Sequence, residues 1–188
     1  GVPQRSGMEN AAAKSERRLL MDFELAVWRE DLVPSLAESA ADVRVPQYLR
    51  DSFPHPYTAE DARAFISFAK GEGEKGDLYR AVVAEGKAVG GIAVTRGQDV
   101  YRRSAEIGYW LTPAYWGRGI MTEAVRRICR ETFEKTDIVR IYAEVFAPNA
   151  ASLRVLEKCG FVREGIKRRS VFKNGEFYDS IVMALIKE

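Results

Sequence analysis

Two segments decide how this chain folds: Glu106-Ile107-Gly108-Tyr109-Trp110-Leu111 and, after Pro113, Trp116-Gly117-Arg118-Gly119-Ile120-Met121-Thr122-Glu123-Ala124. The first segment is apolar and aromatic and predicts a strand, and the second predicts a turn with two glycines that opens a long helix. The N–H groups in the first turn of a helix have no intrahelical partner, and the helix dipole favours negative charge there. Because glycine lets a diphosphate approach the backbone and Arg118 adds charged donors, this turn is predicted to bind phosphate.

The turn belongs to neither of the two commonest phosphate-binding motifs. No Gly-Lys-Ser/Thr occurs in the chain, so a mononucleotide P-loop is excluded, and Gly117-Arg118-Gly119 lacks the third glycine of the dinucleotide fingerprint. Many strand–helix turns also use glycine only for its geometry. The meaning of the turn therefore depends on the elements around it.

Length and composition indicate one globular domain. The chain has 188 residues, of which 46% are hydrophobic and 30% charged. We expect 1–18 to be a tag remnant and flexible N-terminus, and 19–188 to form a single domain. No apolar run approaches the ~18 residues of a membrane span, and a net charge of +2 does not favour a nucleic-acid partner. Two cysteines without metal-ligand spacing indicate free thiols in a cytoplasmic protein, and the single histidine excludes a multi-histidine metal site, so no metal is expected. The protein is expected to be a monomer or a homodimer.

Hydrophobic periodicity and turn signals predict a mixed α/β (α+β) sheet with helices on both faces. Asp31 is predicted to cap the first helix and Thr58 the second, and 71–76 is predicted to be a polar loop. The predicted strands cover 23–28, 78–84, 88–95, 104–111, 138–146, 161–169 and 176–186, and the helices cover 31–41, 58–70, the segment from the glycine turn to 134, and 149–158.

Several short sequence motifs occur in a fixed order along the chain, and together they resemble those of a known protein family. They are His55-Pro56-Tyr57-Thr58, Gly90-Gly91-Ile92, Ala105-Glu106-Ile107-Gly108-Tyr109-Trp110-Leu111, Tyr115-Trp116-Gly117-Arg118-Gly119, Asn149-Ala150-Ala151-Ser152, Glu157-Lys158-Cys159-Gly160-Phe161-Val162 and Gly175-Glu176-Phe177-Tyr178-Asp179. With them the chain resembles the GNAT superfamily of acetyl-CoA-dependent N-acetyltransferases, and within it the RimJ/RimL branch that acetylates ribosomal-protein N-termini.

The resemblance implies a fold and an activity. The fold is a mostly antiparallel seven-stranded sheet with about four helices, in which a bulge splays the central strand pair apart. The activity is direct transfer of an acetyl group from acetyl-CoA, the co-substrate, to a primary amine, either an N-terminal α-amine or a small-molecule amine. The alternative is a module that binds acetyl-CoA as a sensor and does not use it.

The resemblance also implies where acetyl-CoA binds. The glycine turn would hold the diphosphate, strand peptide groups would pair with the pantetheine arm, and an N–H near Trp110 or Leu111 would stabilise an oxyanion. Asn149 would contact the pantetheine or cap a helix, and Met121 departs from the family pattern but fits if its side chain turns inward. The implied contacts are Ile107, Tyr109, Trp110, Leu111, Trp116, Gly117, Arg118, Gly119, Ile120, Met121, Thr122, Asn149, Ser152, Arg154 and Lys158.

Two glutamates and a serine are candidates for moving protons. Glu106 and Glu144 match positions that carry the base in different members, and we favour Glu106. Ser152 matches a serine near the sulfur in the RimL type and is alternatively a first-turn helix serine. The acid tyrosine of many members is Leu156 here, and a RimL-type glutamate is Val171, which departs from the ribosomal-protein pattern.

The acceptor walls would come from the segment near 55–57 and from the last hairpin. His55, Tyr57, Tyr178 and Asp179 are the candidate substrate-binding residues. Each also has a structural interpretation, because tyrosines commonly pack with a tethered hydroxyl and an aspartate can cap a turn.

Overall fold

The computed structural model describes residues 22–188, so the expected tag remnant at 1–18 lies outside the described residues. Within residues 22–188, four short 3-10 turns accompany the main elements. The strands are β1 Glu24–Val27, β2 Leu78–Ala84, β3 Lys87–Arg96, β4 Ser104–Leu111, β5 Arg140–Phe146, β6 Val162–Lys173 and β7 Glu176–Ile186, and the helices are α1 Val33–Ala40, α2 Ala59–Glu74, α3 Ile120–Lys135 and α4 Ala150–Lys158.

The seven strands form one sheet in the order β1-β2-β3-β4-β5-β7-β6, which confirms the predicted mixed, mostly antiparallel architecture. All neighbours are antiparallel except β4 and β5. These two strands pair only between Ser104–Glu106 and Arg140–Tyr142, and then separate. The predicted splayed pair is therefore present.

The separation of β4 from β5 occurs without the bulge that the resemblance implied in this strand. The register between β3 and β4 is continuous from Gly90–Leu111 to Arg96–Ala105. Register shifts lie elsewhere, between β2 and β3 and twice between β6 and β7. The gap therefore results from the divergence of two regular strands.

Both faces of the sheet are covered by apolar packing, as predicted. Helices α3 and α4 cover one face, where the predicted stripe on α3 is buried against the sheet. Helices α1 and α2 cover the other face. Strand β2 contributes to both clusters by alternation, since Val82 faces the α3/α4 side while Ala81 and Val83 face the α1/α2 side. The stripe on α3 consists of Met121, Val125, Ile128 and Thr132.

Two predictions at helix ends were wrong and one was confirmed. Thr58 makes the predicted capping box with Asp61. Asp31 does not cap α1, because a 3-10 turn precedes the helix and the capping position falls to Leu32. Helix α2 also continues through the predicted loop to Glu74. Once a helix has nucleated, each added residue gains a hydrogen bond, and this offsets the roughly 1 kcal/mol cost of a glycine.

Candidate functional site

The glycine turn forms the N-terminus of α3 and presents backbone to solvent. Gly117 and Gly119 have φ angles of 71° and 74°, in the left-handed region that favours glycine, and Gly119 is the N-cap of α3. Among residues 22–188, and apart from its two chain neighbours, no atom lies within 4 Å of the position of a Cβ at Gly117. Ile120 and Met121 are buried, so Met121 turns inward as its departure from the family pattern requires. The first-turn N–H groups of α3 have no partner within the helix, and such groups fit a diphosphate.

Two aromatic side chains flank the turn. The Arg118 guanidinium lies over the Tyr115 ring, 5.5 Å from its centroid. The Trp116 indole N–H donates to the Leu111 carbonyl over 2.7 Å, which ties the end of β4 to the turn. Thr122, in the first turn of α3, accepts a hydrogen bond on its carbonyl from the Cys159 thiol over 3.3 Å. The turn is thus fixed to both β4 and α4.

Alternate peptide groups of β4 face the gap between β4 and β5. The Thr112 N–H donates to Val89 O and the Gly97 N–H to Ser104 O, so the even-numbered residues of β4 pair with β3. The peptide groups of Ile107, Tyr109 and Leu111 therefore point toward β5. The last β4–β5 pair, Glu106–Tyr142, uses the N–H of Ile107, and the Leu111 carbonyl accepts from the Trp116 indole. The Ile107 carbonyl, both peptide groups of Tyr109 and the Leu111 N–H lie beyond the ladder and face the gap.

Trp110 has a different position from the one the resemblance implied. Its peptide groups face β3, because it is an even-numbered residue of β4. Its indole ring contacts Phe53 on the α1/α2 side of the sheet, with ring centroids 5.5 Å apart. Trp110 therefore packs on the α1/α2 side of the sheet, and Leu111 carries the N–H that faces the gap.

Helix α4 begins beside the gap and brings a serine to a buried tyrosine. Asn149 caps the helix, since its Oδ1 accepts from the Ser152 N–H over 3.2 Å. The Ser152 Oγ and the Tyr109 hydroxyl are 2.6 Å apart. Burial raises the pKa of Tyr109 well above its usual value of 10, although the bond to Ser152 acts in the opposite direction. The phenol therefore stays protonated near neutral pH.

Helix α4 carries two predicted coenzyme contacts, which are exposed, and the position of the family's acid tyrosine, which is buried. Arg154 and Lys158 are exposed along α4. Leu156 is fully buried in the α3/α4 core, so this position does not supply a proton donor to the gap.

The candidate bases lie on the opposite face of the sheet from Tyr109. The Glu106 carboxylate accepts a hydrogen bond from Arg50 over 2.5 Å and one from the Tyr142 hydroxyl over 3.4 Å. Glu144 pairs with Lys167 over 2.5 Å. Burial and the negative charge of Glu106 raise the pKa of Tyr142. Both glutamates thus share one face of the sheet.

A cleft of about 310 Å³ opens on this face beside Glu144. Its floor comes from β5, β6 and β7, and its rim comes from Leu49–Asp51. Lys173 is buried and fixes the rim, because its Nζ donates to Leu49 O over 2.8 Å and to the Asp51 carboxylate over 2.9 Å. The other lining residues are Arg50, Phe146, Ser170, Val171, Phe172 and Ser180.

The four residues predicted to bind substrate do not converge on this cleft. His55 is exposed, and Tyr57 is buried against Phe53 with ring centroids 5.2 Å apart. Burial raises the pKa of Tyr57 to about 12, with a further contribution from Asp61. These contacts agree with the structural interpretation of Tyr57.

Of the two predicted substrate-binding residues on β7, Asp179 is hydrogen-bonded within the protein, and the position of Tyr178 follows from strand alternation. The Asp179 carboxylate accepts from the Arg169 N–H over 2.8 Å and holds a bulge of β6 in which Arg169 has a φ of 51°. Tyr178 shares the Ser180 face of β7 by alternation.

Five residues beside the candidate bases and the cleft were not identified from the sequence. Tyr142 is two residues before Glu144 on β5, so strand alternation alone could have placed it beside Glu144. The others depend on long-range packing that no local pattern encodes. The five are Arg50, Tyr142, Lys167, Lys173 and Ser180.

Two further properties concern residues 22–188 only. Within this part of the chain, no group of three or more His, Cys, Asp or Glu side chains is arranged to hold a metal, and Cys129 and Cys159 are free thiols. None of the helices described there combines the length and apolar character of a membrane crossing.

Comparisons with known proteins agree on one family. The sequence profile of the acetyltransferase (GNAT) domain matches residues 22–162. A probable N-acetyltransferase of Bacillus subtilis, YjcK, is 36% identical over 69% of this chain and 74% of its own length. An uncharacterized N-acetyltransferase of the same organism, YnaD, is 28% identical over 93% of this chain and 96% of its own.

The solved structures agree on the fold. RimL, a ribosomal L7/L12 alpha-N-protein acetyltransferase in complex with coenzyme A, superposes with a TM-score of 0.79 at 22% identity, covering 88% of this chain and 94% of that chain. At this identity the likeness concerns the fold.

Proposed function

The chain belongs to the acetyltransferase (GNAT) domain family and is an acetyl-CoA-dependent N-acetyltransferase, and we propose that it acetylates an N-terminal α-amine or a small monoamine through the site described above. One observation carries this proposal. Strands β4 and β5 separate after Glu106 and Tyr142, and the glycine turn lies at the end of β4. We also propose that 19–188 form a single domain and that the protein is cytoplasmic, as the ribosomal-protein acetyltransferase named above supports.

The α3 end of the gap is proposed to hold the CoA portion of the co-substrate. The N–H groups at Gly119–Thr122 and the Arg118 guanidinium would hold the diphosphate, with Trp116 and Gly117 shaping the turn. The Ile107 carbonyl and the peptide groups of Tyr109 would pair with the amide-containing arm as an added strand. Arg154 and Lys158 are exposed on α4 and would meet the 3′-phosphate, and Asn149 would contact the arm while it caps α4.

When bound, acetyl-CoA supplies an activated thioester, and the protein must position an amine and manage its proton. Glu106 is the proposed base because it lies where the two strands separate and is hydrogen-bonded to Tyr142. Glu144 is the second candidate on the same face. The N–H of Leu111 faces the gap and is available to stabilise negative charge on the acetyl oxygen.

The leaving thiolate is proposed to be stabilised by a hydrogen bond from the Tyr109–Ser152 pair. The two hydroxyls are 2.6 Å apart at the start of α4, on the α3/α4 side of the gap. Burial keeps the Tyr109 phenol protonated, so it can donate a hydrogen bond to the Ser152 Oγ while the Ser152 hydroxyl donates one to the sulfur. This pair would take the place of the tyrosine that other members carry where Leu156 stands.

The acceptor is proposed to be a monocation and not a polyamine. Three carboxylates lie at the acceptor side, and each has a cationic partner: Glu106 with Arg50, Glu144 with Lys167, and Asp51 with Lys173. An acceptor with several positive charges would find no unpaired carboxylates in this set. A single amine needs to exchange with only one of the three cations.

The activity test measures release of free CoA from acetyl-CoA in the presence of an N-terminal peptide, a monoamine, a polyamine or an aminoglycoside. We expect turnover with the peptide or the monoamine, and loss of most of it in Glu106→Gln. The buried Leu156 favours a second candidate, a sensor that binds acetyl-CoA without turnover. Calorimetric binding of acetyl-CoA together with no release of CoA from any amine would support the sensor and refute the enzyme.

A further inference from the structure

Ser180 carries a buried hydroxyl without a partner. Its side chain is 2% exposed, and its Oγ is the one buried side-chain polar atom in residues 22–188 that makes no hydrogen bond. Buried hydroxyls are normally satisfied, because an unpaired one destabilises the fold. A ligand that supplies the missing partner would explain why a serine occupies this position.

The Ser180 side chain lies on the face of the sheet that carries the cleft. Ile181 and Met183 on β7 are buried in the α3/α4 core, so alternation directs Ser180 to the opposite face. There it lines the cleft together with Glu144 and Phe146. The α3/α4 face carries Tyr109 and Ser152 and is separated from Ser180 by the sheet.

The position of Ser180 relative to Glu144 indicates what the hydroxyl can bind. Ser180 lies opposite Phe146, and Glu144 lies opposite Val182, so Ser180 and Glu144 are diagonal neighbours on paired strands. Such neighbours are about 7–8 Å apart. An amine held beside the glutamates would therefore place at Ser180 a polar group two or three bonds from its nitrogen.

We propose that Ser180 is a specificity-determining residue that hydrogen-bonds the carbonyl or amide of an α-amino amide acceptor. This inference rests on the proposed function, because it assumes that the amine enters from the Glu106 and Glu144 side. Charge does not make the selection here, since Glu144 and Asp51 are already paired with lysines. The selective contact is the uncharged hydroxyl.

The test uses two conjugates in which the CoA sulfur is joined through an acetyl spacer to the nitrogen of glycinamide or of isobutylamine. The two amines have the same shape, but only glycinamide carries an amide group. Calorimetry is expected to give about three- to tenfold tighter binding of the glycinamide conjugate to the wild-type protein, the value of one net hydrogen bond. In Ser180→Ala the two conjugates should bind equally.

The control is Ser39→Ala, which removes a hydroxyl that donates to Ala88 O over 2.7 Å, remote from the cleft. It should keep the preference for glycinamide and lower the thermal midpoint, whereas Ser180→Ala should lose the preference without lowering the midpoint. Equal binding of both conjugates to the wild type, or an unchanged preference in Ser180→Ala, would overturn the role of Ser180. Failure of the wild type to bind CoA itself would instead refute the proposed function, so the two failures are distinguishable.

Discussion

Replacing Glu106 by Gln tests the proposed base through the pH dependence of the loss. If Glu106 only removes the proton of the bound ammonium, the variant must use the fraction of acceptor that is already neutral. An α-amine with a pKa of about 7.7–8.0 is roughly one-tenth neutral at pH 7, whereas an alkylamine with a lysine-like pKa of about 10.4 is neutral in fewer than about one molecule per thousand. The expected loss in kcat/KM at pH 7 is therefore about tenfold for an α-amine and about a thousandfold for an alkylamine.

The structure indicates that Glu106→Gln remains folded, so its loss of kcat/KM can be measured without a contribution from unfolding. The Arg50 side chain is 71% exposed and that of Glu106 is 32% exposed, so their ion pair is open to solvent. Exposed pairs of this kind contribute about 0–1 kcal/mol to stability. Glu106→Gln should accordingly leave the free energy of unfolding within about 1 kcal/mol of the wild type.

The assay is kcat/KM for CoA release between pH 6.5 and 9.5 with an N-terminal peptide. The loss in Glu106→Gln should shrink to less than about twofold by pH 9, because the α-amine is then mostly neutral. Glu164→Gln breaks a comparable ion pair with Arg140 and serves as the matched control with no change. A loss that is the same at every pH would refute the assignment, and the predicted pattern in Glu144→Gln alone would move the base to Glu144.

Three further results are expected. Gly119→Ala places a Cβ at a φ of 74°, so the free energy of unfolding should fall by about 1–2 kcal/mol. Calorimetry should show that acetyl-CoA binds this variant at least about tenfold more weakly. The control Gly165→Ala should change neither stability nor binding. Tyr109→Phe and Ser152→Ala should each lower kcat about 100-fold by removing a hydrogen bond that stabilises the leaving thiolate. The double variant should be no slower than either single variant, and additive losses would contradict a shared role of the pair. Burial raises the pKa of Cys129 to about 12, so the folded protein holds a thiol proton that the unfolded chain releases near pH 9. The free energy of unfolding should therefore fall by about 2–4 kcal/mol more in the wild type than in Cys129→Ala between pH 9 and 12 in urea titrations.

The sheet was largely predictable from the sequence because local signals mark its strands. The bounds of β2 and β4 match the prediction, since apolar runs there end at clear turn signals. The burial of the stripe on α3 also follows from its periodicity. The end of α2 was missed, because helix propagation outweighed two glycines that normally indicate a loop.

Only part of the candidate site could be predicted from the sequence. Motif spacing was enough to place the glycine turn and the two glutamates. The partners of those glutamates come from distant segments, and Lys173 contacts a carbonyl 124 residues away in the chain. Such contacts depend on how the irregular segment at 45–57 packs, and no period or turn signal encodes that packing. The site residues themselves therefore stay predictions until the variants are measured.

The two groups of proposed functional residues lie on opposite faces of the sheet, and this affects how the enzyme can acquire new amine substrates. Glu106, Glu144 and Ser180 lie on one face, while Tyr109 and Ser152 lie on the other. Substitutions at separated positions without shared partners usually combine additively. Selection in the laboratory or in nature can therefore remodel the cleft of an enzyme like this one, one substitution at a time, while donor affinity is retained.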